Sequence, residues 1–140
     1  MNIRECKKEE VADVIELLKC CGLYYEPCDS VENISNKIDH DKESILVAEI
    51  DGKIVGMIFL IRDPWASLTY HLCVHEDYRR RGIGKSLLLE AENRIKKICS
   101  NIGGYAVESN TVILNLKKSL GYSEYPEKLI LTGKKFNKEA

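Results

Sequence analysis

Net charge is what this chain most clearly lacks: 21 lysines and arginines stand against 22 aspartates and glutamates, leaving −1 at neutral pH. No global field would then recruit nucleic acid or an anionic membrane, and positive charge can matter only locally, at Arg79 to Arg81. Aromatic residues are not interleaved with that triplet, which argues against a stacking platform for nucleic acid. No apolar run approaches a membrane span; the longest, Ile54 to Ile61, is interrupted by Gly56 and fits a buried strand. Met1-Asn2-Ile3-Arg4-Glu5 leads straight into a charged segment without the apolar core of a secretory signal, so a cytoplasmic protein is expected. Six cysteines occur, but there is no Cys-x-x-Cys pair, and His40, His71 and His75 lack a helical metal-ligand spacing. Free thiols and no metal are the expectation. Repeats, linkers and low-complexity segments are missing too. With 140 residues, 44% of them hydrophobic, the chain suffices for one core and is short for two. The reading is a single domain over residues 1–140, with residues 134–140 as a frayed tail.

Periodicity supplies the elements. Ile3 to Cys6 reads as a short strand, and Val11, Val14, Ile15 and Leu18 form the apolar stripe of a helix that Gly22 ends. Ser30, three residues before Asn33, predicts a cap for a second helix through Ile34 and Ile38. Ser44 to Ile50 and Lys53 to Ile61 are apolar strands separated by Asp51-Gly52, a two-residue hairpin signal. Leu68 to Val74 predicts a further strand, and Ile83 to about Cys99 a long amphipathic helix. Gly103-Gly104 would break the pattern before a strand over Tyr105 to Glu108, parallel to the preceding one by a right-handed crossover. A helix from Asn110 to Leu120 should stop at Gly121, and Leu129 to Thr132 would add a last strand.

The segment Tyr78-Arg79-Arg80-Arg81-Gly82-Ile83-Gly84-Lys85 joins the end of an apolar strand to the start of the long helix. Such a junction suits phosphate, because first-turn amides have no intrahelical partner, the helix dipole adds positive charge, and glycine permits close approach. The spacing excludes other phosphate loops. There is no Gly-x-x-x-x-Gly-Lys-Ser/Thr run, and Leu87 stands where a dinucleotide fingerprint needs its third glycine.

Arg79-x-x-Gly82-x-Gly84, after a strand ending Leu72-Cys73-Val74-His75, resembles the acyl-CoA pyrophosphate loop of the Gcn5-related N-acetyltransferases. Asn110, followed by Gly121-Tyr122 at the end of Leu116-Lys117-Lys118-Ser119-Leu120, is similar to the same family's downstream helix. The resemblance runs from Ile3 to about Phe136 and is strongest to small bacterial acetyltransferases. It implies an α/β fold with a central, mixed, mostly antiparallel sheet and helices on both faces. It also implies acetyl-CoA as cosubstrate without a metal. Main-chain groups of Leu72, Cys73 and Val74 would pair with the pantetheine arm, Arg79, Arg80, Arg81, Gly82, Ile83, Gly84 and Lys85 would hold the pyrophosphate, and Asn110 would bond the pantetheine or cap its helix.

For the chemistry, His71 can titrate near neutral pH and accept an amine proton, or else be a strand histidine or a substrate contact. Tyr70 lies beside it where many family members place a carboxylate, and Glu108 is a second carboxylate candidate that could equally be a surface group. His75 carries little catalytic weight. Cys73 is favoured as a small buried strand residue over a nucleophile. Lys117 occupies the position where the family often has a tyrosine acid; a surface lysine is the plainer reading. Tyr24, Tyr25 and Trp65 are candidates to line an amine pocket. The leading expectation is an N-acetyltransferase acting on a primary amine of a small molecule or peptide by direct attack, as a monomer or homodimer, with no nucleic-acid or membrane partner. The alternative is a CoA-binding sensor or regulatory protein with weakened catalysis.

Overall fold

Near-continuous apolar runs in the two strands between Ile45 and Ile61 build the middle of the sheet, because both faces of this hairpin are covered. The computed structural model describes residues 1–137 and places β1 (Asn2–Glu5), α1 (Val11–Cys20), α2 (Val31–His40), β2 (Ile45–Ile50), β3 (Lys53–Ile61), β4 (Ser67–Val74), α3 (Ile83–Lys96), β5 (Ile102–Gly104) and α4 (Thr111–Ser119). The sheet order is β1-β2-β3-β4-β5. The first three pairings are antiparallel, and β4–β5 is parallel across the α3 crossover. The β2–β3 turn uses Asp51 at φ 51° and Gly52 at φ 75°, the two left-handed positions that a two-residue hairpin demands.

One face of the sheet carries Ile45, Val47, Met57, Phe59 and Cys73 against Val14, Leu17 and Leu18 of α1 and Ile34 and Ile38 of α2. α3 packs on β2, β3 and β4 through its buried stripe of Ile83, Leu87, Leu88, Ala91 and Ile95. Gly56 permits close approach there: a β-carbon on it would lie 3.1 Å from Leu87 Cδ1 and 3.3 Å from Ile83 Cγ2. Ser30 caps α2 by accepting from the Asn33 amide at 3.1 Å. At the rim, Arg62 reaches Asp41 and Glu43, and Arg94 reaches Glu43, Glu90 and Glu5.

The chain divides into a compact unit from Met1 to Tyr105 and a second that begins at Ala106. The second unit holds α4, capped by Asn110 and followed by Gly121 at φ 93°. Three sequence expectations shift. β5 is Ile102–Gly104 rather than Tyr105 to Glu108, because Gly103, whose β-carbon would meet Leu68 Cδ2 at 3.2 Å, allows close strand approach. α3 ends at Lys96, one turn before Cys99. Leu129 to Thr132 is not a strand; its apolar side chains are 70–81% exposed, and β propensity without a neighbouring strand makes no ladder. In the expected tail, residues 134–137 have no regular structure, and residues 138–140 lie outside the described residues.

Candidate functional site

Antiparallel register between β3 and β4 pairs Met57 with Cys73 and Phe59 with Tyr70, so two residues of β4, His71 and Leu72, oppose the single Ile58. This is a β-bulge, and His71 supplies its unusual backbone with φ 53°. Simple alternation would send Tyr70 and His71 to opposite faces. The bulge instead brings both rings against Phe59, with centroids at 5.6 Å for Tyr70 and 5.0 Å for His71, and at 5.2 Å from each other, all edge-on.

Above these rings runs the loop between α1 and α2. Its turn is closed by the Cys28 and Asp29 amides, which both donate to the Tyr25 carbonyl. The Asp29 side chain is buried, and its Oδ2 accepts from the Tyr25 amide at 2.8 Å and meets His71 Nε2 at 2.9 Å. The Tyr70 phenol is pushed up to about 12, first by burial and then by the negative field of Tyr105 and Asp29, so it remains a proton donor. Lys37 sits 5.5 Å from the Tyr70 centroid and 5.7 Å from that of Phe59, and donates to the Leu60 carbonyl at 2.6 Å. Burial lowers its pKa to about 8.

The other half of the site is main chain. β5 pairs with β4 only over Ser67, Leu68 and Thr69, so the β5-side edge of β4 has no strand neighbour from Tyr70 to Val74 among the described residues. A tight turn, Glu76–Tyr78, then leads through Arg80 at φ 64° to Gly82, the N-cap of α3, at φ 78°. No side chain caps the helix, so the first-turn amides of Ile83, Gly84 and Lys85 remain available to an anion. Arg79 turns its Nε back to the Val74 carbonyl at 2.9 Å, and the Arg81 guanidinium lies 5.1 Å from the Tyr78 ring centroid. Unpaired strand edge and uncapped helix start are thus consecutive in the chain, which fits an acyl thioester with a pantetheine arm and a pyrophosphate.

Beside that edge lies a thiol pair. Cys21, just past α1, is within 3.7 Å of the Val74 carbonyl. Its thiol is lowered to about 6, first by a hydrogen bond from Cys73 and then by Arg79, against an opposing effect of burial. The Cys73 thiol is raised by its bond to Cys21 and by burial, so it stays protonated.

The remaining candidates are spread out. Tyr24 packs on the α1/α2 core under Lys19, whose Nζ is 4.8 Å from the ring centroid, and Tyr25 is exposed beside it. Trp65 is 88% exposed in the loop before β4, six residues and about 20 Å of extended chain from His71. His75 caps the turn after β4 by accepting from the Asp77 amide. In the second unit, Glu108 lies in an exposed turn rather than on a strand. Asn110 Oδ1 accepts from the Ile113 amide at 3.3 Å, which is helix capping. Lys117 is half-buried, with its pKa lowered by burial and its Nζ 5.8 Å from the Tyr122 centroid. Sequence reasoning missed Asp29, Lys37 and Cys21. None belongs to a motif; each enters through a contact made across the fold.

A family profile described as an acetyltransferase (GNAT) domain matches residues 41–124. An acetyltransferase of Sodalis glossinidius is 32% identical over 136 residues, covering 96% of this chain and 95% of that protein. The PaiA N-acetyltransferase of Thermoplasma acidophilum, solved in complex with coenzyme A, superposes with a TM-score of 0.75 at 25% identity over 91% of this chain and 92% of that one. A Bacillus halodurans protein described as a transcriptional regulator shares the fold, with a TM-score of 0.78 at 21% identity over 94% of this chain and 99% of its own.

Proposed function

The chain belongs to the GNAT acetyltransferase family, and from that premise we propose that it moves the acetyl group of acetyl-CoA to a primary amine by direct attack. One observation carries the reading: β4 loses its β5 neighbour after Thr69, and its open edge runs into the uncapped start of α3. Main-chain groups of Leu72, Cys73 and Val74 would bond the pantetheine as an added strand, and the amides of Ile83 to Lys85 would hold the pyrophosphate. The amine nitrogen bonds to the thioester carbon, the carbon–sulfur bond breaks, and the sulfur leaves with the electron pair as the CoA thiolate. His71, within the open stretch of β4, takes the proton of the attacking amine directly or through water. Tyr70 stays protonated, so it does not act as base. A thiolate leaves readily, so Lys117 needs no role as acid. Tyr24 and Tyr25, on the α1–α2 loop that also carries Asp29, would face the acceptor.

Titration calorimetry with acetyl-CoA is the first test, and absence of binding overturns the proposal. Mass-spectrometric detection of acetylated product follows, with polyamines, amino acids, aminoglycosides and peptide amino termini as acceptors. Tight binding of coenzyme without product from any of them favours a CoA-responsive regulatory protein.

A further inference from the structure

We propose that Asp29 is a positioning residue for acetyl transfer: it holds the Nε2–H form of His71 and so leaves Nδ1 as the atom that receives the amine proton. The inference rests on His71 acting as base and adds the residue that selects its tautomer. A carboxylate accepts hydrogen bonds and donates none, so the hydrogen shared between Asp29 Oδ2 and His71 Nε2, 2.9 Å apart, resides on the ring nitrogen. The other nitrogen of a neutral imidazole then carries the lone pair.

Asp29 is itself fixed. It is 3% exposed, its Oδ2 also accepts from the Tyr25 amide at 2.8 Å, and its own amide donates to the Tyr25 carbonyl at 2.8 Å. The ring it orients is held edge-on by Phe59 and Tyr70 and hangs from a left-handed backbone position. A histidine so placed loses little rotational freedom when it takes a proton, and a buried carboxylate beside the resulting imidazolium stabilises the charge. The contact also ties the α1–α2 loop to the strand bearing the base, so the tyrosines of that loop are set relative to the reacting proton.

The test uses full-length protein with 15N-labelled histidine. The nitrogen shifts of His71 should report a proton on Nε2 and none on Nδ1 in the neutral ring, a preference lost in Asp29→Ala. Asp29→Asn can place its amide oxygen where Oδ2 stands, keeping the bonds to the Tyr25 amide and to His71 Nε2 while removing the charge, so it should retain the Nε2–H form; the wild-type tautomer decides the matter should the alanine variant fail to fold. Folded Asp29→Ala should lose about tenfold or more in kcat, with KM for acetyl-CoA within about twofold of wild type. An Nδ1–H tautomer in the wild type, or a folded Asp29→Ala protein with wild-type kcat, overturns the inference. Lack of turnover by the wild type overturns the parent reading and the base role with it, whereas a wrong tautomer in an active enzyme overturns the role of Asp29 alone.

Discussion

Gly56→Ala tests whether the contact between β3 and α3 sets the coenzyme site. The new methyl would stand 3.1 Å from Leu87 Cδ1, 3.2 Å from the Cys73 carbonyl oxygen and 3.3 Å from Ile83 Cγ2. Comfortable carbon contacts are about 3.5–4.0 Å, so three neighbours must each yield a few tenths of an ångström. Leu87 is fully buried, Ile83 nearly so, and the carbonyl belongs to the backbone of β4. Overpacking of this kind costs about 1–3 kcal/mol. For 140 residues, an unfolding entropy of about 2.1 cal/mol/K per residue gives roughly 0.3 kcal/mol/K, so the melting temperature should fall by about 3–10 °C. Ile83 opens α3, and pushing it away from β3 moves the amides that would hold the pyrophosphate. The CoA dissociation constant should therefore rise about threefold or more, which corresponds to upwards of about 0.6 kcal/mol. Differential scanning calorimetry and isothermal titration read the two effects. An unchanged melting temperature would refute the packing argument, and a lowered one with unchanged CoA affinity would separate Gly56 from the site.

Gly82→Ala meets nothing within 4 Å, so its cost is confined to the left-handed backbone at φ 78°. That is about 1–2 kcal/mol, with weakened CoA binding measurable by the same titration; wild-type stability would show that the turn relaxes freely. Cys21, lowered to about 6, should alkylate fastest of the six thiols at pH 6.5. Its rate should rise between pH 5 and 7 and level off above, as read by iodoacetamide labelling and peptide mass spectrometry; a rate still climbing steeply above pH 8 would contradict the hydrogen bond from Cys73. Lys37, lowered by burial to about 8, binds fewer protons when folded than when unfolded between that value and the ordinary lysine range near 10.5. Its contribution to stability therefore improves as pH rises through that window and is constant below it. Urea unfolding of wild type and Lys37→Met at pH 7 and pH 10 should show the difference shifting in favour of the wild type at the higher pH, and an unshifted difference would refute the burial argument.

Local chemistry made much of the molecule legible from residues alone. The Asp51-Gly52 hairpin, the Ser30 cap, the apolar stripes of α1 and α3 and the Arg79 to Lys85 junction each depend on neighbours within a few positions, and all four occupy their expected places. The errors fell where partners are distant in sequence. Gly103 reads as a breaker until Leu68 is placed against it, and Leu129 to Thr132 reads as a strand although no strand among the described residues pairs with it. His71 could be named a candidate base because histidine titrates in the useful range. Its orientation could not, since that depends on a one-residue bulge in β4 and on Asp29, 42 positions earlier in the chain. Spacing records periodicity and turn chemistry; only the closed sheet, with the α1–α2 loop laid over it, brings a buried carboxylate to one nitrogen of one ring.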